Sequence, residues 1–102
     1  MYAAVRRYTG DPGLAEKFTA RRKDIENVIR TTPGFSSYYM LKTPDGAVTV
    51  TVCEDKTGAE KSNQIAADWI KQNMAGVVKK SPEIYAGEVV LTTSAQTSGM
   101  RL

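Results

Sequence analysis

Four polar or aromatic side chains lie on surfaces that the sequence predicts to be apolar, and these are the residues that could do chemistry. Arg21 lies near the middle of the apolar face of a first predicted helix, and Asn73 lies one turn beyond Trp69 on that of a second. Tyr38 would point toward them from a strand. An aromatic wall with a few polar anchors is the usual make-up of a small-molecule site. These four residues are therefore the candidate site.

Each of these residues also has a purely structural interpretation. Trp69 can be a core side chain whose indole N–H finds a nearby acceptor. Asn73 can bond a carbonyl at a strand end, and Arg21 can extend to the edge of the sheet. Tyr38 can pack in the core or at an interface. Ser62, on the same stripe as Trp69, can bond to its own helix. The sequence leaves both interpretations open.

The composition excludes several kinds of chemistry. The 102 residues contain no His and a single Cys, Cys53. The chain therefore lacks the commonest general base and metal ligand, and it cannot form an intrachain disulfide, which suits a reducing compartment. We predict no cofactor and no metal. Cys53 is interpreted as an inert buried thiol and Asp68 as a surface carboxylate.

Charge and hydropathy bear on partners and location. The net charge is +3, from 14 basic and 11 acidic residues. Short clusters such as Arg6-Arg7 and Lys79-Lys80 are interpreted as solvated faces, because nucleic-acid binding needs a concentrated basic stripe. No run of about 18 apolar residues predicts a membrane span, and the N-terminus lacks a signal-peptide apolar region. We predict a cytoplasmic protein with no nucleic-acid or membrane partner.

Hydrophobic periodicity gives the elements that must position these residues. A strand is predicted over 2–8 and a single helix over 14–30. A hairpin over 35–53 follows. A second helix, opened by a capping box at Thr57 and Glu60, runs to about Val78. The last strand is predicted over 88–92.

The hairpin loop Pro44-Asp45-Gly46 sets a strand register if Gly46 takes a left-handed conformation and forms a bulge. Met40 then faces Val50, and Tyr38 faces Val52. We place the more apolar face under the helices and assign the mixed face to a dimer contact, although a one-residue slip would exchange these roles. The first face holds Tyr38, Met40, Val48, Val50 and Val52; the second holds Tyr39, Leu41, Thr49, Thr51 and Cys53.

The order of elements, β-α-β-β-α-β, predicts an α+β fold of the ferredoxin-like kind. Its antiparallel four-stranded sheet would carry two helices on one face. A second copy of the chain is the simplest cover for the other face if that face is apolar. We predict one domain over residues 1–92 and a loose tail over 93–102.

The chain resembles the antibiotic-biosynthesis-monooxygenase-like (ABM-like) domains of the dimeric α/β-barrel superfamily over nearly all of residues 2–92. The resemblance is carried by Pro33-Gly34-Phe35, Tyr38, the strand at 48–52, and Glu54-Asp55 before a helix that has Trp69 near its end. It implies a homodimer with a pocket between sheet and helices. In the cofactor-free oxygenases of this superfamily, Trp, Asn, Tyr and Arg side chains line that pocket. The corresponding positions here are Trp69, Asn73, Tyr38 and Arg21.

This resemblance implies a cofactor-independent monooxygenase-like enzyme that acts on a small aromatic or polyketide-like substrate. Without His, substrate deprotonation would need a substrate of low pKa, or Arg21 to stabilise the anion. Haem-degrading members ligate iron through a His, which this sequence lacks. Two alternatives stay open: a non-enzymatic dimer that binds a small ligand, and a structural dimer whose own side chains fill the pocket. Whether the chain is an enzyme at all is left undecided.

Overall fold

The computed structural model describes residues 1–95, which form one antiparallel four-stranded sheet with helices packed on one face. The strand order is β2-β3-β1-β4, as in a ferredoxin-like sandwich, so the predicted fold is confirmed. The tail predicted over 93–102 lies mostly outside the described residues, and the domain boundary at 92 stays a prediction. The elements are β1 (Tyr2–Thr9), α1 (Leu14–Thr19), α2 (Arg22–Ile29), β2 (Phe35–Thr43), β3 (Gly46–Cys53), α3 (Lys56–Asn73) and β4 (Glu83–Glu88).

The core lies between the sheet and the helices. Alternate residues of β1 point into it, and Tyr8 packs edge-on against Phe18 of α1 with the ring centroids 5.4 Å apart. Leu14, Ile25 and Met74 complete the same cluster. None of the helices in residues 1–95 combines the length and apolar character needed to cross a membrane.

The single helix predicted over 14–30 is wrong, because the segment is divided into α1 and α2. The backbone leaves the helical region at Arg21, where φ is −111° and ψ is 23°. Two residues earlier, the Thr19 hydroxyl donates to the carbonyl of Ala15 at 2.7 Å. Such back-bonding weakens and bends helices. Arg21 therefore lies at a junction between two short helices and not in the middle of a helical face.

The second helix begins and ends differently from the prediction. Its N-cap is Asp55, whose carboxylate accepts from the backbone N–H of Gly58 at 2.9 Å, so the predicted cap at Thr57 is wrong. It ends at Asn73 and does not reach Val78. Met74 departs from helical geometry and is buried in the core. Burial of Met74 thus stabilises the chain more than one further helical turn would, because Gly76, Val77 and Val78 have low helix propensity.

The predicted hairpin register is wrong by one residue on β3. Thr43 pairs with Gly46, so the loop is Pro44-Asp45 alone. Gly46 is needed for close approach, since a Cβ there would lie 2.0 Å from the carbonyl oxygen of Tyr8. Tyr38 and Met40 lie on the helix-covered face as predicted, but the β3 faces are exchanged. Ala47, Thr49, Thr51 and Cys53 are buried under the helices, and Val48, Val50 and Val52 lie on the open face.

The predicted last strand is also wrong. The segment that pairs with β1 is Glu83–Glu88, with Arg7 opposite Glu83 and Tyr2 opposite Glu88. Because β1 starts at Tyr2, the apolar run after Glu88 extends past the end of its partner. Val90 and Leu91 are 89% and 85% exposed as a result.

The start of α3 offers a test of this packing. A Cβ on Gly58 would lie 2.2 Å from the carbonyl oxygen of Pro33 and 3.0 Å from Cβ of Cys53. We expect Gly58→Ala to lower the free energy of unfolding by about 1–3 kcal/mol, as overpacking does, despite the better helix propensity of Ala. A Cβ on Gly76 would meet nothing within 4 Å. Gly76→Ala is the matched control, and equal urea midpoints for the two variants would contradict the packing described.

Candidate functional site

A buried arginine lies at the centre of the sheet. Arg6, on β1, is 1% exposed and points toward α3 between the sheet and the helices. Its Nε donates to Thr49 Oγ1 at 3.1 Å, and one terminal nitrogen donates to Thr51 Oγ1 at 2.6 Å. The other terminal nitrogen donates to Ser62 Oγ at 3.1 Å and to Asn63 Oδ1 at 2.8 Å. Strand β3 and helix α3 thus hold the guanidinium from two sides.

All four acceptors of Arg6 are neutral. Hydroxyl and amide oxygens satisfy its N–H groups but carry no negative charge. The ion pairs among residues 1–95 involve Arg7, Lys17, Arg21 and Lys42, and none involves Arg6. A buried cation without a carboxylate is costly, and it makes the surrounding space attractive to an anion.

This cation borders a narrow cleft between the sheet and the three helices, which we call the inner cleft. Its free volume is only about 30 Å³, roughly the space of one water molecule. Aromatic and apolar side chains line most of it. The lining residues are Arg6, Tyr8, Phe18, Ile25, Val28, Ile29, Tyr38, Met40, Thr49, Ala66, Trp69 and Ile70.

A roomier cleft, the outer cleft, lies on the solvent side of the same wall. It has a volume of about 230 Å³ and shares Ile25, Tyr38 and Met40 with the inner cleft. Met40 has three rotatable bonds and adapts readily to neighbours. Met40 lines both spaces, together with Ile25 and Tyr38.

Two tyrosines lie beside Arg6 and stay protonated. Burial raises the pKa of Tyr38 to about 12, although the positive charge of Arg6 opposes the shift. Burial likewise raises the pKa of Tyr8, again against the influence of Arg6. Both side chains can therefore donate a hydrogen bond near neutral pH, and neither can act as a base.

Three of the four candidate residues, Arg21, Trp69 and Asn73, contact one another. Only two of the four lie in the inner cleft. Tyr38 and Trp69 line it. The guanidinium of Arg21 lies over the Trp69 ring, 5.3 Å from its centroid, and donates to Asn73 Oδ1 at 3.4 Å. Asn73 also donates to the carbonyl of Trp69 at 2.9 Å and is exposed. Arg21 and Asn73 therefore contact the outer side of Trp69 and do not line the inner cleft.

The structural interpretations of three other residues are confirmed. Ser62 donates to the carbonyl of Ala59 at 2.6 Å while it accepts from Arg6. Cys53 is fully buried, and burial raises the pKa of its thiol, so it is not an activated nucleophile. Asp68 is exposed and accepts from Gln64.

The sequence interpretation missed Arg6, because it treated Arg6-Arg7 as a solvated cluster. A signal was present. Adjacent strand residues point to opposite faces, so Arg6 and Arg7 cannot both face solvent on a strand with one covered face. Ala4 and Tyr8, two residues away on either side, mark the face that Arg6 shares.

Comparison with known proteins identifies the fold. No protein-family model matches the chain, and no curated protein matches it. Among solved structures, the chain is similar to NE2512, a protein of unknown function from Nitrosomonas europaea. The TM-score is 0.70 and the sequence identity is 19%, and the match covers 91% of this chain and 92% of NE2512. The haem-degrader MhuD from Mycobacterium tuberculosis, with two haems bound in its active site, has a TM-score of 0.68 at 17% identity over 92% and 100% of the two chains. HapK from Hahella chejuensis has a TM-score of 0.62 at 14% identity over 93% and 98%.

The environment of Tyr38 can be tested by titration. Because burial raises the pKa of Tyr38 to about 12 from an ordinary value of 10, and also raises the pKa of Tyr8, we expect these two tyrosines to ionise late in a titration of the tyrosinate absorbance. The unfolded chain loses the Tyr38 proton first as the pH rises, so stability that is present below pH 10 falls between pH 10 and 12. The Tyr38→Phe variant should lose one tyrosine's share of the late absorbance change, and the control Tyr39→Phe should keep all of it. A late change of the same amplitude in Tyr38→Phe as in wild type would contradict the burial described.

Proposed function

We propose that this chain, which has the fold of the ABM-like domains of the dimeric α/β-barrel superfamily, binds a small anionic aromatic molecule in the inner cleft and oxygenates it without a cofactor. One observation carries the proposal. Arg6 is a buried cation without a carboxylate partner at the floor of an aromatic-lined cleft. A ligand with a phenolate, enolate or carboxylate oxygen would supply the missing negative charge.

The lining of the cleft favours an aromatic ligand. Trp69 and Tyr38 offer ring surfaces for stacking, and Phe18 closes the inner end. The cleft is too small for a ring unless Met40 turns aside, so we propose that the ligand enters through the outer cleft. In this arrangement the ring lies against Trp69 and Tyr38 while its anionic oxygen points to Arg6.

The absence of His decides how the chemistry would start. The tyrosines in the cleft are protonated donors, and the sequence holds no His that could take a proton. The substrate must therefore arrive as an anion, with Arg6 stabilising the charge that it carries. In the oxygenation that we propose, the substrate is the enolate that a ring CH₂ group forms when it loses one proton to solvent. O₂ adds to that carbon, which becomes a carbonyl; one oxygen atom enters the product, and the other leaves as hydroxide with the remaining C–H hydrogen. The substrate supplies all four electrons, so no external reductant is required.

Arg21 and Asn73 would act through Trp69. The guanidinium of Arg21 lies over the outer part of the indole, and Asn73 accepts from Arg21 and donates to the Trp69 carbonyl. We propose that they are positioning residues, while Tyr38 and Trp69 contact the ligand. The sequence suggested that Arg21 stabilises the anion; in this proposal Arg6 does so instead.

Haem is not part of this proposal, although MhuD binds it. The sequence has no His, and the inner cleft has a free volume of about 30 Å³ beside a Tyr38 hydroxyl that burial keeps protonated, with a pKa of about 12. These residues do not fit a macrocycle with an axial ligand.

A second candidate function is ligand binding without turnover. The observation that favours it is the same lack of a proton acceptor beside Arg6, since the cleft could hold an anion without activating it further. Oxygen consumption separates the two functions, because both require the ligand but only one consumes O₂.

We further propose that the chain forms a homodimer through the open face of the sheet. Apolar side chains on this face are uncovered in one copy, and Tyr39, Leu41 and Tyr85 are about half exposed. Exposed apolar faces of this kind mark interaction sites, and a second copy offers the same face in return. The face consists of Val5, Tyr39, Leu41, Val48, Val50, Val52 and Tyr85.

Replacement of Arg6 tests the proposed function. We expect Arg6→Met to lower the free energy of unfolding by about 1–3 kcal/mol, because Thr49, Thr51 and Ser62 lose their shared donor. The folded variant should bind 1-hydroxy-2-naphthoate at least about tenfold more weakly, because a charge-assisted hydrogen bond is lost. Quenching of Trp69 fluorescence measures the affinity. Oxygen uptake with an anthrone should fall in parallel, and one O₂ should be consumed per substrate without peroxide.

Two variants control this experiment. Arg30→Met removes the same charge at an exposed position and should leave binding unchanged. Arg6→Lys keeps the charge and should retain part of the affinity. If wild type and Arg6→Met bind the naphthoate equally, the proposed function is wrong. If binding follows the prediction but no variant consumes O₂, binding without turnover is the function.

The dimer is tested by mass in solution. We expect wild type to sediment at twice the chain mass and Leu41→Lys to sediment as a monomer, because a charge would be buried within the apolar face. Gln72→Lys adds the same charge on the exposed side of α3 and should stay dimeric. A monomeric wild type at micromolar concentration would overturn the proposed homodimer but would not bear on ligand binding in the inner cleft.

A further inference from the structure

A second cleft lies on the other side of Arg6, and we call it the basic cleft. It has a volume of about 390 Å³, within the usual range for small-molecule sites. Strands β1 and β4 form one wall, and the end of α3 with the segment that follows it forms the other. The lining residues are Arg6, Tyr8, Asn63, Ala67, Ile70, Lys71, Ala75, Val78, Lys79, Lys80, Ser81, Pro82 and Ile84.

All the charged side chains that line this cleft are positive. Arg6 lies at its floor, and Lys71, Lys79 and Lys80 lie around it, while no carboxylate is among its described lining residues. Low-dielectric walls lined by one sign of charge concentrate the field and raise the local concentration of counter-ions. The basic cleft therefore attracts anions more strongly than the net charge of +3 suggests.

Two carboxylates on the segments that flank the cleft pair with cations outside it. Asp11, which lines a neighbouring cleft together with Lys79 and Lys80, pairs with Lys17 at 2.7 Å and accepts from the backbone of Gly13. Glu83 lies on the open face of the sheet and pairs with Arg7 at 2.9 Å. Among the ion pairs of residues 1–95, none involves the three lysines of the basic cleft.

Two further contacts give the cleft a defined shape. The stem of Lys80 lies against Gly10, since a Cβ on Gly10 would be 3.5 Å from its Cδ. Asn63 lines the cleft and is held by the guanidinium of Arg6 at 2.8 Å. The floor is thus a fixed polar network, and the lysines supply adjustable positive charge at the rim.

We propose that the basic cleft binds the phosphate group of a small molecule. Phosphate carries close to two negative charges and several acceptor oxygens, which matches several ammonium groups around one guanidinium. Lysine is a compact point charge that suits phosphate without fixed geometry. The site requires neither an aromatic ligand nor oxygen chemistry, so it is independent of the proposed function, although both ligands would approach Arg6.

Pyrophosphate is the probe for this site, and titration calorimetry at constant ionic strength is the measurement. We expect wild type to bind one pyrophosphate per chain and inorganic phosphate more weakly. Lys79→Gln with Lys80→Gln should lower the pyrophosphate affinity about tenfold, because two of the three lysine charges that line the cleft are removed. Lys56→Gln with Lys61→Gln removes the same charge at exposed positions of α3 outside the cleft and should change the affinity less than about twofold.

The outcomes separate this inference from the proposed function. Absence of saturable pyrophosphate binding by wild type, or an equal loss of affinity in the two double variants, would overturn the basic cleft. Pyrophosphate binding by a protein that does not bind 1-hydroxy-2-naphthoate would support the basic cleft and overturn only the proposed function. Naphthoate binding without pyrophosphate binding would do the reverse.

Discussion

The positive charge of Arg6, held under the helices by neutral oxygens, is the constraint on which the rest of the interior depends. Thr49 and Thr51 on β3 and Ser62 on α3 are buried polar residues because they satisfy this guanidinium. Small residues at the start of α3 let the helix come close enough to the sheet for these bonds to form. The bonds satisfy the donors but leave the charge unbalanced. The two clefts that border Arg6 are therefore the places where an anion gains most.

The two faces of the sheet carry different kinds of side chain. The helix-covered face of the sheet carries Arg6 and its hydroxyl partners, while the opposite face carries valines, Tyr39 and Leu41. A soluble monomer usually has the reverse distribution, since apolar side chains gain most from burial. The two clefts beside Arg6 and the open apolar face thus follow from one alternation of side chains along β1 and β3.

Sequence patterns were sufficient for the order of elements and the fold class, because helical and strand periodicities are local. They were insufficient where tertiary contacts decide. The end of α3 depends on burial of Met74, and the hairpin register depends on the close approach of Gly46 to Tyr8. Trp69 and Tyr38 were found because aromatic residues on apolar stripes are conspicuous. Arg6 was missed because its neighbour Arg7 gave the pair the character of a surface cluster, and only the alternation of β1 places one of them inside.

The most direct test of this account is a crystal structure of the chain with 1-hydroxy-2-naphthoate bound. The account predicts the carboxylate or phenolate oxygen within about 3 Å of the Arg6 guanidinium, with the ring against Trp69 and Tyr38 and Met40 in a changed rotamer. A naphthoate bound only at surface lysines, with Arg6 still surrounded solely by Thr49, Thr51, Ser62 and Asn63, would contradict it.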